Sequence, residues 1–367
     1  MSAKLQAQAT KEAAFSAFFK RQLFHSIPTV STDLHGQVAI VTGANVGLGL
    51  ACARQLLALQ LSRLILAVRS QPKGEAAARE LRAAFPAAHV EVWPLDMASY
   101  ASIQAFVTRC RTELARVDIA ILNAGLALKR YQPITTNHPG PARETTLQVN
   151  FLSTALLALL LLPSLRRVAP APAEKPGPGT ALRASAPGRL TLVGSDTAYW
   201  LDAAGLLRGH ASLLAAVNSP TGFDGLERYK LTKLFVLMFV AKLARDVVAA
   251  DEVVVNVACP GLCKGTAFVR EPDDNRAKHA VVSGLIRLIG RTPELGARVY
   301  LDAALAQGPP SHGSMLSEGR ILPFPPIMYK EPDLMDRLWN EIMEEFEAAG
   351  LGRELAEVVD RGRVANA

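Results

Sequence analysis

The sequence predicts an α/β fold with one doubly wound parallel sheet and helices on both faces. Short apolar runs alternate along the first half of the chain with longer helical patterns, and this β-α-β order is typical of parallel sheets. The first of these runs also leads through a glycine-rich turn into a helix. With 50% hydrophobic and 20% charged residues, the 367-residue chain has a globular composition and enough length for one large domain or two.

The glycine-rich turn is the segment 42–49, which follows the predicted strand 38–41 and precedes a helical pattern over 51–59. Glycines let the backbone turn tightly and approach a bulky anion, and the free amides of a helix N-terminus favour phosphate. A dinucleotide pyrophosphate is held in this way. For the turn taken alone, an ordinary strand-to-helix loop is the alternative. The predicted contacts are Gly43, Asn45, Val46, Gly47, Leu48 and Gly49.

The second predicted strand, 64–68, ends at Arg69, 20 residues beyond Gly49. A dinucleotide-binding unit contacts the adenosine ribose here. An acidic residue bonds the 2′-hydroxyl, whereas an arginine accommodates a 2′-phosphate. Arg69 therefore favours NADP(H) over NAD(H), and without the glycine turn it would be a solvated arginine at a strand end.

The third and fourth predicted strands, 89–94 and 119–122, are each followed by candidate cofactor contacts. Asp96 and Met97 follow strand three. The Asp96 carboxylate is expected either to receive the adenine amino group or to cap the next helix, over 99–115. Strand four ends at Asn123-Ala124-Gly125.

A helical segment over 144–162 follows and carries Asn150. Its most apolar run, 151–162, is too short to span a bilayer and is predicted to be a buried or subunit-packing helix. Residues 169–187 are rich in Pro, Ala and Gly, which predicts an exposed loop insertion. Strand five, 189–194, then places Ser195 at its carboxyl end, where open α/β sheets bind their ligands.

The predicted helix 228–248 holds Tyr229 and Lys233 four residues apart, so both side chains lie on one face. A nearby ammonium is expected to favour the phenolate and bring the tyrosine pKa closer to neutral pH, as proton transfer to a carbonyl requires. This spacing is common on amphipathic helices and gains weight only together with the turn and Ser195. The segments 196–226 and 264–290 are expected to line the substrate cleft.

Taken together and in this order, the motifs resemble the short-chain dehydrogenase/reductase family, with its Rossmann-type sheet, across roughly residues 36 to 270. The matching residues are Thr42-Gly43-(three residues)-Gly47-Leu48-Gly49, Asn123-Ala124-Gly125, Asn150, Ser195, Tyr229-(three residues)-Lys233 and Asn256-(three residues)-Pro260-Gly261.

The resemblance implies a role for each catalytic residue. Ser195 would bond the substrate carbonyl, Tyr229 would donate the proton, Lys233 would lower the tyrosine pKa and hold the nicotinamide ribose, and Asn150 would hold a water. It also implies that Asn123, Ala124 and Gly125 support the adenosine side, and that Pro260 and Gly261 lie beside the nicotinamide. Thr266 would bind the carboxamide, although it stands one residue later than the family pattern.

The long interval between Ser195 and Tyr229 and the C-terminal extension are similar to the retinol-dehydrogenase-like enzymes and the fungal reductases of secondary metabolism. This implies an NADP(H)-dependent oxidoreductase for apolar ketones, aldehydes or alcohols. Two alternatives stay open. One is a cofactor-sensing or scaffold protein on the same fold. The other is an epimerase or dehydratase that uses the cofactor transiently.

The remaining expectations concern the ends of the chain and its surroundings. Residues 1–35 are expected to form a helical extension, 36–330 the catalytic domain, and 331–367 a C-terminal helix and tail. The segments 281–289, 293–305 and 332–349 are expected to complete the sheet edge and cover the cleft. The four cysteines show neither metal-ligand nor disulfide spacing, which favours a reducing compartment, here the cytoplasm. The net charge of +7 comes from scattered arginines, so no nucleic-acid site is expected. A homo-oligomer is a further alternative. The amphipathic helix near residues 15–24 is expected to dock on its own domain, with membrane contact or covering of the cleft as alternatives, and no function is assigned to it.

Overall fold

The computed structural model describes residues 3–134, 142–166, 186–201, 210–265, 284 and 286–365. Its strands are β1 (Val38–Thr42), β2 (Arg63–Val68), β3 (His89–Pro94), β4 (Ile119–Leu122), β5 (Pro133–Ile134), β6 (Arg143–Glu144), β7 (Gly188–Val193), β8 (Val253–Ala258), β9 (Met315–Ser317) and β10 (Arg320–Leu322). Eight of them form one sheet in the order β3-β2-β1-β4-β7-β8-β9-β10. All neighbours in it are parallel except β9 and β10. The predicted doubly wound α/β fold is confirmed.

The helices lie on both faces of this sheet. They are α1 (Ala3–Glu12), α2 (Phe15–Phe24), α3 (Gly47–Ala58), α4 (Gln71–Ala84), α5 (Tyr100–Glu113), α6 (Thr145–Leu147), α7 (Ser153–Leu165), α8 (Leu213–Asn218), α9 (Gly225–Asp246), α10 (Pro293–Leu301), α11 (Pro326–Lys330), α12 (Asp333–Ala348) and α13 (Gly352–Ala365). A π-helical turn, Gln148–Leu152, joins α6 to α7, and a second one, Asp302–Ala306, follows α10.

Two hydrophobic cores, one on each face, follow from the alternation of side chains along a strand. Ala39 and Val41 of β1 pack with α3, α4 and α10, whereas Ile40 packs with α5, α7, α9, α12 and α13. Because strands buried on both faces need apolar residues at every position, the central strands consist almost entirely of Val, Ile, Leu and Ala.

The stretch Thr145–Leu165 is 21 residues long and apolar enough to cross a membrane, the one such helix among the described residues. In its most apolar window, however, 94% of the residues are buried inside the protein. It packs against α5, α9, α13 and the strands β4 and β7. A position with protein on all sides explains why this helix has no polar face.

The C-terminal part of the chain departs from the expectation. The sheet edge is completed by the short strands β9 and β10, not by the last helices. Helix α12 packs on α8 and α9, and Trp339 stacks on Phe239 with ring centroids 5.8 Å apart. Residues expected to form a tail are helical over Gly352–Ala365. Of the predicted insertion 169–187, residues 169–185 lie outside the described residues.

Candidate active site

Ser195 lies directly beyond the end of β7, at the carboxyl edge of the sheet. Its Oγ accepts hydrogen bonds from the backbone N–H of Thr197 at 3.3 Å and from the Thr197 hydroxyl at 3.0 Å. The phenol of Tyr229 is a neighbour of this hydroxyl. Thr197, which the sequence analysis missed, therefore orients the serine hydroxyl.

Tyr229 stands in the first turns of α9 and is only 9% exposed. Burial raises the pKa of its phenol well above the ordinary value, and the hydrogen bond with Ser195 opposes that rise without cancelling it. The expected lowering of this pKa by a neighbouring ammonium is therefore wrong for this structure. A phenol in this environment is protonated at neutral pH and has a proton to donate.

Lys233 lies one turn further along α9, and its Nζ is 5.7 Å from the centroid of the Tyr229 ring. The ammonium donates to the Val193 carbonyl at 2.7 Å rather than to the phenol. The residue is 5% exposed, and burial lowers its pKa to about 8. Among the described residues its hydrogen-bond partner is the Val193 carbonyl, which leaves two further hydrogens of the ammonium for a ligand.

Asn150 is placed by the π-helical turn and is 1% exposed. Its Oδ1 accepts from the Leu126 N–H at 2.9 Å, and its Nδ2 donates to the Leu126 carbonyl at 2.8 Å and to the Thr232 hydroxyl at 3.3 Å. Thr232 in turn donates to the Tyr229 carbonyl at 2.8 Å. Both amide hydrogens are thus used by the protein, so the side chain ties the Leu126 loop to α9.

The glycine turn has the shape that an anion-binding loop requires. Gly43 and Gly47 have positive φ angles of 65° and 57°, which other residues rarely adopt. A Cβ at Gly49 would lie 2.6 Å from Asn123 Nδ2 and 2.7 Å from the Gly43 carbonyl oxygen. Val46, at the N-cap of α3, is 47% exposed and has no side-chain acceptor, so the first amides of the helix are left for a ligand. Asn45 and Leu48 are half-buried beside it.

Asn123, Ala124 and Gly125 connect the end of β4 to the glycine turn and to Asn150 and Lys233. Asn123 Nδ2 donates to the Thr42 carbonyl at 2.9 Å, and Ala124 N–H donates to the Thr42 hydroxyl at 2.9 Å. A Cβ at Gly125 would lie 3.3 Å from Asn150 Oδ1 and 3.8 Å from Lys233 Nζ. The structure thus brings together four motifs that are far apart in sequence.

The predicted adenosine-side residues lie at the neighbouring strand ends. Arg69 is exposed directly after β2, which pairs with β1, and Gly43 N–H bonds the Ala67 carbonyl at 2.8 Å. Asp96 Oδ1 accepts from the Ala98 N–H at 3.0 Å. The cap of α5 is Ser99 and not Asp96, so the capping interpretation is wrong. Met97 is 6% exposed and its side chain belongs to the core.

Pro260 and Gly261 follow β8 and contact residues that lie outside the predicted motif. The Pro260 carbonyl accepts from Arg291 Nη1 at 3.0 Å. Gly261 has a φ of 73°, and a Cβ there would lie 2.5 Å from Gln22 Oε1, so a side chain would collide with α2. Thr266 lies outside the described residues, as does most of the predicted cleft segment 264–290.

Comparison with known proteins identifies the family. Short chain dehydrogenase opdN of Penicillium oxalicum is 68% identical over 323 residues, which cover 88% of this chain and 100% of opdN. The chain belongs to the short-chain dehydrogenase/reductase family. The family model for short chain dehydrogenase matches residues 37–171. Short chain dehydrogenase virL of Hypocrea virens is 42% identical over 96% of this chain and 98% of virL.

Solved structures of short-chain dehydrogenases and reductases share the fold. L-sorbose reductase of Gluconobacter frateurii, complexed with NADPH and L-sorbose, superposes with a TM-score of 0.54 at 21% identity, covering 80% of this chain and 99% of that enzyme. NADPH-dependent 3-quinuclidinone reductase of Rhodotorula rubra gives 0.53 at 20% identity, covering 82% and 94%. The family resemblance and the fungal branch inferred from the motifs are both confirmed, and family membership makes the protein an oxidoreductase of alcohol and carbonyl groups.

Other features of this short-chain dehydrogenase escaped the sequence analysis. Asp196, directly after Ser195, is 4% exposed and pairs with Arg21 of α2, a helix to which no function was assigned. Tyr300 donates to Asn123 Oδ1 at 3.2 Å from α10. The adjacency of Asp196 to Ser195 was a usable signal, whereas nothing local marks Arg21. Among the described residues, no group of three His, Cys, Asp or Glu side chains is placed to bind a metal.

Proposed function

We propose that this protein transfers hydride between NADP(H) and a bulky apolar ketone or aldehyde, or the matching alcohol, as a cytoplasmic step of secondary metabolism. The observation that carries the proposal is the convergence of Ser195, Tyr229 and Lys233 beside the glycine turn, at the carboxyl edge of the sheet. The fungal relatives named as short chain dehydrogenases support the same reaction class.

The residues present fit a nicotinamide dinucleotide with a 2′-phosphate. The uncapped amides at the start of α3 suit a pyrophosphate, and the guanidinium of Arg69 suits the extra phosphate because its planar fork matches phosphate oxygens. The NADPH named for two structural neighbours supports this choice. When bound, the cofactor supplies or accepts the hydride. Lys233 Nζ, with two hydrogens left to donate, would hold the nicotinamide ribose.

In the reductive direction, the Ser195 hydroxyl would donate to the substrate carbonyl oxygen while Thr197 keeps the serine oriented. The closeness of Ser195 to Tyr229 supports an arrangement in which both hydroxyls donate to the same substrate oxygen. As negative charge develops on the substrate oxygen, Tyr229 would transfer its proton to it, leaving alcohol as product. The phenol keeps this proton until then because burial disfavours the phenolate.

The first test is a fluorescence titration of the purified protein with NADPH and, in parallel, NADH. We expect tighter binding of NADPH. Arg69→Glu should remove that preference, because the carboxylate repels the 2′-phosphate and can accept from a 2′-hydroxyl. Arg79→Glu makes the same charge change on the exposed surface of α4 and should leave the preference intact. Binding of neither nucleotide would refute the proposal and favour a scaffold.

The second test is turnover. Tyr229→Phe should lower the rate of NADPH oxidation with bulky aromatic ketones and quinones by roughly 10²- to 10⁴-fold, the usual contribution of a general acid. NADPH affinity should stay nearly unchanged. Full activity of the Tyr229→Phe protein would refute the proposed mechanism. Turnover of a substrate without net consumption of cofactor would instead indicate an epimerase or dehydratase.

A further inference from the structure

The N-terminal helix α2 carries a charged residue that is buried next to the catalytic serine. Arg21 is 3% exposed. Its two Nη atoms donate to the carboxylates of Asp196 and Glu12, and its Nε lies 3.5 Å from Glu318 Oε2. Burial alone would lower the arginine pKa, and the three carboxylates outweigh that effect and raise it. Arg21 is therefore a permanent cation inside the protein.

Asp196 connects this cation to both loops that flank the reacting groups. It directly follows Ser195 in the turn after β7. Its second oxygen accepts from the Sγ of Cys259 at 3.0 Å, and Cys259 directly precedes Pro260 in the segment after β8. One carboxylate thus holds the Ser195 turn against the Pro260–Gly261 segment, and Arg21 fixes that carboxylate from the other side.

The helix α2 makes further contacts with the same two segments, partly through Arg291. Gln22 accepts from the Leu262 N–H at 3.1 Å and donates to the Leu262 carbonyl at 2.9 Å. Arg291 donates to the Arg21 carbonyl at 3.1 Å, to Glu318 at 2.7 Å and to the Pro260 carbonyl at 3.0 Å. Phe18, one turn before Gln22, packs edge-on against Trp200 at the far end of the Ser195 turn, with ring centroids 5.1 Å apart.

A buried ion cluster is a costly way to attach a helix, since desolvation of the charges offsets most of their attraction. Apolar residues would attach α2 at least as strongly. What a guanidinium adds is geometry, because its planar fork holds several carboxylate oxygens at fixed positions. Here those positions determine where Asp196, and with it Ser195, stands.

We propose that Arg21 is a positioning residue of the reaction, which holds Asp196 so that the Ser195 turn and the Pro260–Gly261 segment keep the spacing that substrate and nicotinamide need. The α2 helix is then part of the active site rather than an appendage. The expected effect of Arg21 on kinetics rests on the proposed function, whereas its expected effect on the two segments does not.

The structural part is tested by hydrogen exchange with mass spectrometry on Arg21→Met, without cofactor. Peptides covering 195–201 and 259–264 should exchange at least tenfold faster than in the wild-type protein. The matched control is Arg166→Met at the opposite, amino edge of the sheet. Arg166 is also largely buried, pairs with Glu252 at 3.3 Å and donates to the Val247 carbonyl at 3.1 Å. In that control the exchange rates of both peptides should stay at the wild-type values. If both peptides also exchanged at wild-type rates in Arg21→Met, the proposal would be overturned.

The kinetic part uses NADPH oxidation with 9,10-phenanthrenequinone as a bulky carbonyl probe. Arg21→Lys, which keeps the charge but loses the fork, should lower kcat at least tenfold, with less than a threefold change in NADPH affinity. In a Ser195→Ala background the same substitution should have a smaller effect on kcat, because part of the role of Arg21 acts through the serine. Independent, multiplicative losses would contradict this role, as would an Arg166→Met enzyme that loses kcat equally.

The two hypotheses fail separately. If the wild-type protein bound no NADPH, the proposed function would fall, and the exchange comparison would still decide whether Arg21 holds the two segments. If the wild-type protein turned over the probe and Arg21→Lys matched its kcat, the positioning role would fall alone.

Discussion

Replacing Lys233 with methionine is expected to abolish turnover and, at the same time, to change how stability depends on pH. The lysine is buried, and its pKa falls from 10.5 to about 8 on folding. Wherever the residue is charged in both states, this difference destabilises the folded protein by roughly 3 kcal/mol. Methionine has a similar shape and no charge to desolvate, so it removes that penalty.

The magnitude depends on pH because the folded lysine loses its proton first. Above pH 8 the unfolded chain binds more protons than the folded one, so stability rises with pH up to about 10.5. The penalty is roughly 3 kcal/mol at pH 7 and roughly 2 kcal/mol at pH 9. The advantage of Lys233→Met over the wild-type protein should therefore shrink by roughly 1 kcal/mol between these pH values. The lost bond to the Val193 carbonyl costs about 1–3 kcal/mol, which is independent of pH.

The assay is urea unfolding at pH 7 and pH 9, without cofactor, followed by tryptophan fluorescence. Comparing two proteins cancels the titration of all other groups. Lys330→Met, at an exposed position, serves as the control and should show no such pH-dependent difference. If the stability difference between Lys233→Met and wild type were the same at both pH values, burial would not be shifting this pKa and the account of the lysine would be refuted.

Two further predictions concern the glycine turn and the far end of α9. Gly49→Ala should weaken NADPH binding at least tenfold and cost about 1–3 kcal/mol of stability, because its Cβ would press on Asn123 Nδ2 and the Gly43 carbonyl. A fluorescence titration measures the affinity and urea unfolding measures the stability. An unchanged NADPH affinity would contradict the close packing of this turn. His312 donates to the Ala244 and Val248 carbonyls and accepts from Val255 N–H, and burial lowers its pKa below 6.5. Its neutral ring therefore favours folding above pH 6.5, and this contribution should be lost as pH falls below that value. The free energy of unfolding of His312→Gln should depend less on pH between 7 and 5 than that of the wild-type protein. An unaltered pH dependence would contradict a neutral His312 ring.

Much of the fold and of the site could be predicted because the evidence for it is local. A strand buried on both faces shows as a continuous apolar run, and the step from such a run through glycines into a helical pattern marks the dinucleotide turn. The four-residue spacing of Tyr229 and Lys233 puts them on one face of any helix. Because parallel strands end at one edge, Ser195, Asn123 and the glycine turn were expected to meet, and the structure brings them together.

Other features depended on contacts between distant parts of the chain. The strands β9 and β10 have three residues each, too few for a periodic pattern. Strand β9 pairs with the edge of β8, and β10 pairs with β9. Arg21 resembles any polar residue of a surface helix, and its partner Asp196 lies 175 residues away. The pKa of Tyr229 shifts opposite to the direction that the spacing suggested, because burial is the largest influence on it, as it is on the pKa of Lys233.

The sequence by itself therefore determined the order of most strands and helices, the glycine turn and the candidate reacting groups, since these rest on the periodicity of the backbone and on side-chain chemistry. The tertiary structure alone decided the completion of the sheet edge, the attachment of α2 beside Ser195 and the directions in which the pKa values of Tyr229 and Lys233 shift. The physical reason is that pairing of remote segments and exclusion of water are properties of the packed molecule, and no local stretch of sequence carries them.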